Sequence, residues 1–534
     1  MFKILVSDKL PSEGLEILKR EPQFQVDVKT GLKPEELKAI IGEYDAVVIR
    51  SGTKLTAEVL AAAKKLKAVA RAGVGVDNVD VEAASAHGVV VMNTPGGNTI
   101  STAEHTLALL LALARNVPQA QASLKGGAWD RKSFVGTELL GKTLGVVGLG
   151  RVGFEVAKRA RAFEMRVLGY DPYLHRDDAA KFGIEICPEL DELVRQSDYI
   201  TVHTPLNDAT RGLIGVRELG MAKPGVRVIN CARGGIVDEK ALAAAIRSGK
   251  VAGAAVDVYE EEPPADRSLI DLPQVVCTPH LGASTEEAQV TVAVAAAEQL
   301  VDALLRNEVR FAVNLPSVAG SEMESLKPYL TLAERMGSIA AALLAGRPRN
   351  VRLAYSGEVA GLAVELISAS FAVGLTRMMV EETVNLVSAP AVLSRHGVRL
   401  DEVKTSVGQG RETLLEATVT ADGSTVSVTG TVFGGNTPRI VAINGYPLEA
   451  IPYGPLLILN NQDRPGLIGD IGSVLGEAGI NIARMNFGRK SRHGDAITVL
   501  NLDAGPTTDV LEKIGRIEAI RSVRSVMLPP VPAS

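Results

Sequence analysis

The chain has 534 residues, and at roughly 150 residues per domain it holds three or four domains. Its formal charge is −5, from 57 Lys and Arg against 62 Asp and Glu, so nothing in the balance argues for a nucleic-acid backbone as partner. Hydrophobic residues at 46% and charged residues at 22% exclude a chain disordered throughout, and aromatics at 4% leave the cores to Val, Leu, Ile and Ala.

From the N-terminus, Lys3–Val6, Ala46–Ile49, Ala68–Ala70 and Val89–Met92 are short apolar runs with helical patterns between them, the rhythm of an α/β domain with a parallel sheet. Ser101 to Asn116 predicts a long apolar helix, in the core or between domains. A second α/β series follows, with strands expected at Thr143–Val147, Arg166–Tyr170, Tyr199–Val202, Val226–Asn230, Val251–Asp257 and Val275–Cys277. Helices are expected at Asp238–Ser248 and Thr285–Arg306. Phe311–Pro316 ends this part of the chain at a proline. Residues 319–451 mix helical segments with strand alternation at Leu414–Thr420 and Thr425–Val432, around an Asp422-Gly423 hairpin signal. The last stretch predicts a βαββαβ order from Leu456 onward, and the Pro529–Pro532 tail is expected to fray.

No apolar run reaches the roughly eighteen residues of a membrane span, and Met1–Asp8 meets charge too early for a signal peptide. Cys187, Cys231 and Cys277 form neither a disulfide framework nor a CxxC pair, so a reducing, cytoplasmic compartment and no metal are expected.

Gly148-Leu149-Gly150-Arg151-Val152-Gly153 follows one expected strand and opens a helix, and Asp171 follows the next strand. Gly148 permits the tight turn, Gly150 lets the backbone approach a pyrophosphate, and Gly153 lets helix and strand pack closely. The N–H groups at the helix start hold the anion, while Asp171 accepts from a ribose hydroxyl and repels a 2′-phosphate, which favours NAD over NADP.

Three later segments each follow a strand: Asn230–Gly235 carrying Arg233, Asp257–Pro264 with the acids Glu260, Glu261 and Glu262, and Thr278–Thr285 carrying His280. Strand C-terminal ends in an open α/β sheet share one edge, where ligands bind. An imidazole titrates nearest neutrality, a carboxylate beside it fixes its tautomer, and an Arg fork grips a carboxylate.

These motifs together resemble the D-isomer-specific 2-hydroxyacid dehydrogenases, and within them the long type acting on 3-phosphoglycerate. The resemblance runs from Lys3 to about Pro316 and resumes at Asp463-Arg464-Pro465-Gly466 and Gly479–Ile482, which look like an ACT domain. It implies two Rossmann/flavodoxin-like doubly wound parallel-sheet domains, an α+β intervening domain and a ferredoxin-like ACT domain. The implied boundaries are 1–98 with 288–316 (substrate), 99–287 (NAD), 319–451 (intervening) and 452–529 (ACT). It further implies oxidation of 3-phospho-D-glycerate to 3-phosphooxypyruvate, the first step of L-serine biosynthesis, with hydride passing from C2 to the nicotinamide.

In that scheme His280 is the general base, Glu262, the acid directly before the proline, is its partner, and Arg233 binds the substrate carboxylate. Gly148, Gly150, Arg151, Val152, Gly153, Asp171, Thr204, Pro205, Cys231, Arg233, Asp257, His280 and Gly282 are assigned to the cofactor. Arg50, Ser51, Arg71, Gly73, Val74, Gly75 and Asn98 are assigned to the substrate, the arginines on its phosphate. Asn461, Asp463 and Asn481 are assigned to an L-serine effector, and a homodimer or homotetramer is expected. Two alternatives stand beside this scheme: a dehydrogenase of the same family reducing glyoxylate or 2-oxoglutarate, and an NAD-sensing binding protein of the corepressor type.

Overall fold

Short apolar strands joined by helices form a parallel sheet when both faces are covered. The computed structural model describes all residues except 175–181, 307, 317, 319, 378, 381–383, 406–412 and 531–534. Its first sheet holds β1 (Phe2–Val6), β2 (Phe24–Val28), β3 (Ala46–Ile49), β4 (Ala68–Arg71) and β5 (Val90–Met92), all parallel in the order β2-β1-β3-β4-β5. This is the flavodoxin-like doubly wound order. The edge strand β2 is missing from the sequence expectation; it buries only Phe24, so its short apolar alternation is weak.

The chain returns to this sheet through the helix Glu286–Val301, which continues as a π-helical turn, Asp302–Arg306. This stretch is apolar and long enough to cross a membrane, yet half of its apolar window is buried. Its alanines pack on β1, β3 and β4, and a Cβ on Gly14 would stand 2.8 Å from the Ala293 carbonyl oxygen. Ala312 then bridges Met92, and Asn314 bonds the backbone at Val89 and Val91.

The second sheet contains β6 (Thr143–Val147), β7 (Arg166–Tyr170), β8 (Glu185–Ile186), β9 (Tyr199–Val202), β10 (Val226–Asn230), β11 (Val251–Val256) and β12 (Val275–Cys277). Every pair is parallel, in the order β12-β11-β10-β9-β6-β7-β8, with buried clusters on both faces. The connection reverses direction between β6 and β9, the switch point where α/β folds bind ligands. The helix Thr99–Arg115 carries the chain from the first sheet to the second and buries Leu107, Leu109, Leu110 and Leu113.

The third sheet is mixed: β13 (Pro348–Ser356), β14 (Arg399–Thr405), β15 (Leu414–Ala421), β16 (Ser424–Phe433), β17 (Thr437–Ile443) and β18 (Tyr446–Ala450). Only β13–β14 is parallel, and Asp422-Gly423 makes the expected two-residue hairpin, with Gly423 at φ 79°. The fourth sheet, β19 (Pro455–Gln462), β20 (Ile482–Arg489), β21 (Asp495–Leu502) and β22 (Ile520–Met527), is antiparallel in the order β20-β21-β19-β22. With its two helices it completes the βαββαβ motif. Alternation along β19 and β21 divides its apolar residues. Leu457, Leu459 and Leu500 meet those helices, while Leu456, Ile458, Ile497 and Val499 join the core of the third sheet. The expected fraying of the tail beyond Pro530 lies outside the described residues.

Candidate active site

The glycine turn after β6 separates three uses of one residue type. Gly148 has φ 91°, and a Cβ there would lie 2.8 Å from the His203 carbonyl oxygen. A Cβ on Gly153 would fall 2.0 Å from the Gly148 carbonyl oxygen, so this glycine is needed for helix-on-strand packing. Gly150 has nothing within 4 Å of its Cβ position, and its backbone is open to a ligand. Asp171, just past β7, closes the turn: its carboxylate accepts from the N–H of Leu149 and of Tyr173, each at 2.9 Å.

Beside this turn lies a cavity of about 510 Å³ between the two parallel sheets. Val74, Gly75, Asn98, Arg151, Val152, Thr204, Pro205, Cys231, Arg233, Asp257, His280 and Gly282 line it, all assigned from sequence to cofactor or substrate. Thr204 Oγ1 is buried there without a hydrogen-bond partner, a polar atom left for a ligand. A dinucleotide fits this combination of open glycine backbone, unpaired hydroxyl and apolar walls. Cys231 is buried and its thiol is pushed up to about 12 by burial, so it contributes a neutral surface. Burial likewise lowers His203 to about 4, leaving a neutral imidazole in the wall, hydrogen-bonded to Thr201.

His280 sits in the 278–282 turn after β12 with φ 56°, a left-handed backbone that non-glycine residues seldom adopt. Its Nδ1 is 2.8 Å from Glu262 Oε2. This bond to Glu262, reinforced by the negative charges of Glu262 and Asp257, raises the imidazole pKa against the opposing effect of burial. Burial alone would raise Glu262, but the bond and charge of His280 and the N–H of Tyr259 hold it below the ordinary carboxylate value. Both side chains are close to half exposed, at 46% and 40%, which keeps Nε2 open toward a ligand.

Arg233, after β10, reaches across the cleft: Nε donates to Asp77 at 2.9 Å and Nη1 to the Ala232 carbonyl at 2.7 Å. A Cβ on Gly75 would sit 1.8 Å from Arg233 Nη2, and one on Gly73 2.0 Å from Arg71 Nη1. These two glycines, assigned from sequence to the substrate, clear space for two guanidinium groups. Burial and the like charges of Arg233 and Arg50 bring Arg71 down to about 10, against the pull of Asp77 and Asp8. Asn78 ties it together, accepting from Arg71 Nε and donating to the carbonyls of Arg50 and Thr53. Arg50 and Ser51 leave β3 beside Asp8, which accepts the Arg50 N–H at 2.6 Å. Arg50, Ser51, Arg71 and Gly73 therefore flank the cavity rather than line it.

Asp257 is fully buried, and its oxygens are taken by Thr278 Oγ1 and the N–H groups of Leu281 and Gly282. It shapes the turn that carries His280. Sequence reasoning passed over Asp77, Asn78, His105, His203 and Thr278. Asp77 and Asn78 lie just after the assigned Gly73, Val74 and Gly75, but ion pairing between distant segments has no signature in spacing.

The C-terminal assignments come together less well. Asp463 lines a separate cavity with Arg464, Gly466, Arg489, Arg492 and His493, and is itself paired to Arg489 at 2.7 Å. Asn461, 1% exposed, turns inward and bonds Thr498 at 2.9 Å. Asn481 donates to Asp503 and does not line that cavity.

Fold and cleft together define a D-isomer specific 2-hydroxyacid dehydrogenase, and the family description "D-isomer specific 2-hydroxyacid dehydrogenase, NAD binding domain" matches residues 107–282. "D-3-phosphoglycerate dehydrogenase intervening domain" matches 325–444, and "ACT domain" matches 456–519. The D-3-phosphoglycerate dehydrogenase of Methanocaldococcus jannaschii is 44% identical over 99% of this chain and 100% of its own length. That of Archaeoglobus fulgidus is 46% identical, over 97% and 98%, and that of Bacillus subtilis 42%, over 99% and 100%. Among solved structures, the TT0316 protein of Thermus thermophilus shares 38% identity at a TM-score of 0.54, covering 58% of this chain and 99% of its own. A glyoxylate reductase from Paecilomyes thermophila shares 30% at the same TM-score, over 58% and 98%. The chain belongs to the D-3-phosphoglycerate dehydrogenase family. Its cofactor is NAD.

Proposed function

We propose that the chain oxidises 3-phospho-D-glycerate to 3-phosphooxypyruvate, the step that commits a glycolytic intermediate to L-serine. The observation that carries this reading is the arrangement of His280, Glu262 and Arg233 at one cleft, with Arg71 and Arg50 crowded beyond it. NAD, when bound, supplies the hydride acceptor. Gly150 and the N–H groups at the start of the helix Arg151–Ala162 would hold its pyrophosphate, with Gly148 making the turn and Gly153 the close packing, and Asp171 would take a ribose hydroxyl.

His280 Nε2 removes the proton of the C2 hydroxyl, and Glu262 keeps Nδ1 protonated so that Nε2 carries the lone pair. Arg233, with Nε already tied to Asp77, offers its terminal N–H groups to the substrate carboxylate. Arg71 and Arg50 take the phosphate, with N–H groups of the 73–75 segment beside the carboxylate. Residues 1–98 with 288–316 form the substrate half and 99–287 the cofactor half. Closure about Asn98 removes water from the reacting atoms.

Two copies pair through the cofactor halves. Support comes from the helix Val117–Lys125, which buries none of its residues, and from Trp129 at 81% exposure and Val135 at 80%. The terminal domain binds L-serine at the Asp463 cavity, and paired terminal domains complete a tetramer. The three cysteines are free, in keeping with the cytoplasm.

The test compares NADH formation from 3-phosphoglycerate with that from unphosphorylated D-glycerate and D-2-hydroxyglutarate. The reading predicts a kcat/KM for the phosphorylated acid at least about a hundredfold above the others. Equal rates, or a preference for the dicarboxylate, would reject the assigned substrate.

A further inference from the structure

The helix Thr99–Arg115 leaves the crossover at Asn98, and one of its faces lies against the turn that carries His280. Three of its side chains touch that turn, and their spacing places them on one side of the helix. Ser101 Oγ and Thr102 Oγ1 donate to the Gly282 carbonyl at 2.7 and 3.3 Å. One turn further along, His105 Nε2 is 3.1 Å from Thr278 Oγ1 and 3.2 Å from Asp257 Oδ1. The two ends of the turn, Thr278 and Gly282, are therefore gripped by the same helix, with His280 between them.

Proton bookkeeping fixes the tautomer of His105. The single hydroxyl proton of Thr278 goes to Asp257 Oδ1 at 2.6 Å, so the Thr278 oxygen can only accept from His105. His105 Nε2 thus carries hydrogen and is shared between the Thr278 hydroxyl and the Asp257 carboxylate. Asp257 in turn accepts the N–H groups of Leu281 and Gly282, and its carbonyl accepts the N–H of His280 at 2.9 Å. The left-handed backbone at His280 persists because its neighbours over-determine it.

We propose that His105 is a positioning residue for the oxidation: it anchors the Thr278–Asp257 end of the turn and so holds His280 Nε2 at the substrate hydroxyl. It touches neither substrate nor cofactor. Asp257 keeps three donors without His105, so removing the imidazole loosens the turn while the carboxylate stays satisfied.

This inference rests on the assigned oxidation, and the experiment separates the two. Wild type, His105→Leu and His105→Gln are compared in full-length form with NAD and 3-phosphoglycerate, protiated and deuterated at C2. Absence of turnover in wild type would remove the functional reading itself. With wild type active, His105→Leu is expected to lose about tenfold in kcat, with both KM values within twofold and a larger primary isotope effect. His105→Gln, whose carboxamide N–H can donate to the same acceptors, is expected to recover at least half of the wild-type kcat. A kcat for His105→Leu within twofold of wild type, a loss confined to KM, or a Gln variant no better than Leu would overturn the proposal. If Leu impairs folding, His105→Ala, which likewise lacks a donor, takes its place under the same thresholds.

Discussion

Arg233, Asp257 and His280 follow three neighbouring parallel strands and meet at one cavity, whereas Asn461, Asp463 and Asn481 belong to an antiparallel sheet and go three ways. In a parallel sheet every strand ends on the same edge, so lying just past a strand is enough to predict convergence. In an antiparallel sheet, face and end both alternate, and one step along β19 separates an inward Asn461 from its outward-facing neighbour Gln462. Motif position therefore locates a catalytic group in the first region and misplaces an effector contact in the second.

The comparison is sharpest if the first region holds the chemistry and the second does not. Replacing His280 with Ala is expected to lower kcat by about a thousandfold with NAD affinity retained, measured by NADH absorbance and NADH fluorescence titration. Arg71→Ala is expected to cost about a hundredfold in kcat/KM for 3-phosphoglycerate and far less for D-glycerate, because one ligand carries the phosphate and the other does not. A uniform loss on both substrates would break the assignment of the arginine cluster.

Glu262→Gln gives a smaller effect with a definite sign. Oxidation needs His280 unprotonated, so kcat/KM climbs as pH rises through the His280 pKa, which the bond and charge of Glu262 hold up. With Gln at this position the imidazole gives up its proton more readily. The acid limb of the pH profile then moves to lower pH, while the plateau falls about tenfold as the tautomer is released. A limb that stays in place or moves to higher pH would contradict the pairing. Smallest in activity, Asn461→Ala is expected to lower stability by about 1 to 2 kcal/mol through loss of its bond to Thr498. The L-serine concentration for half-inhibition should stay within twofold; a large shift there would return Asn461 to the effector site.

Much of this molecule is legible in its residues. Six of the seven strands of the second sheet follow from apolar runs such as Thr143–Val147 and Tyr199–Val202, which stay buried on both faces; the two-residue edge strand β8 does not. Strand β14, Arg399–Thr405, is half exposed and carries Asp, Glu and Lys, so its pairing with β13 is set by tertiary contact rather than pattern. Within the cleft, Gly148, Gly150 and Gly153 were readable because the spacing of the turn assigns each its task. Asp77 and His105 were not, since their partners Arg233 and Asp257 lie more than a hundred residues away in the chain. The inward turn of Asn461 was equally hidden, because β19 is buried on both faces and Asn461 falls in step with Leu457 and Leu459, on the side that meets the terminal domain's own helices.

The most direct test is a crystal structure of the His280→Gln variant with NAD and 3-phosphoglycerate bound. The account predicts the substrate carboxylate on the Arg233 terminal N–H groups, the phosphate beside Arg71 and Arg50, and the C2 hydroxyl about 2.6–3.2 Å from the side chain at position 280. A substrate seated with its phosphate on Arg233, or with its C2 hydroxyl out of reach of position 280, would contradict it.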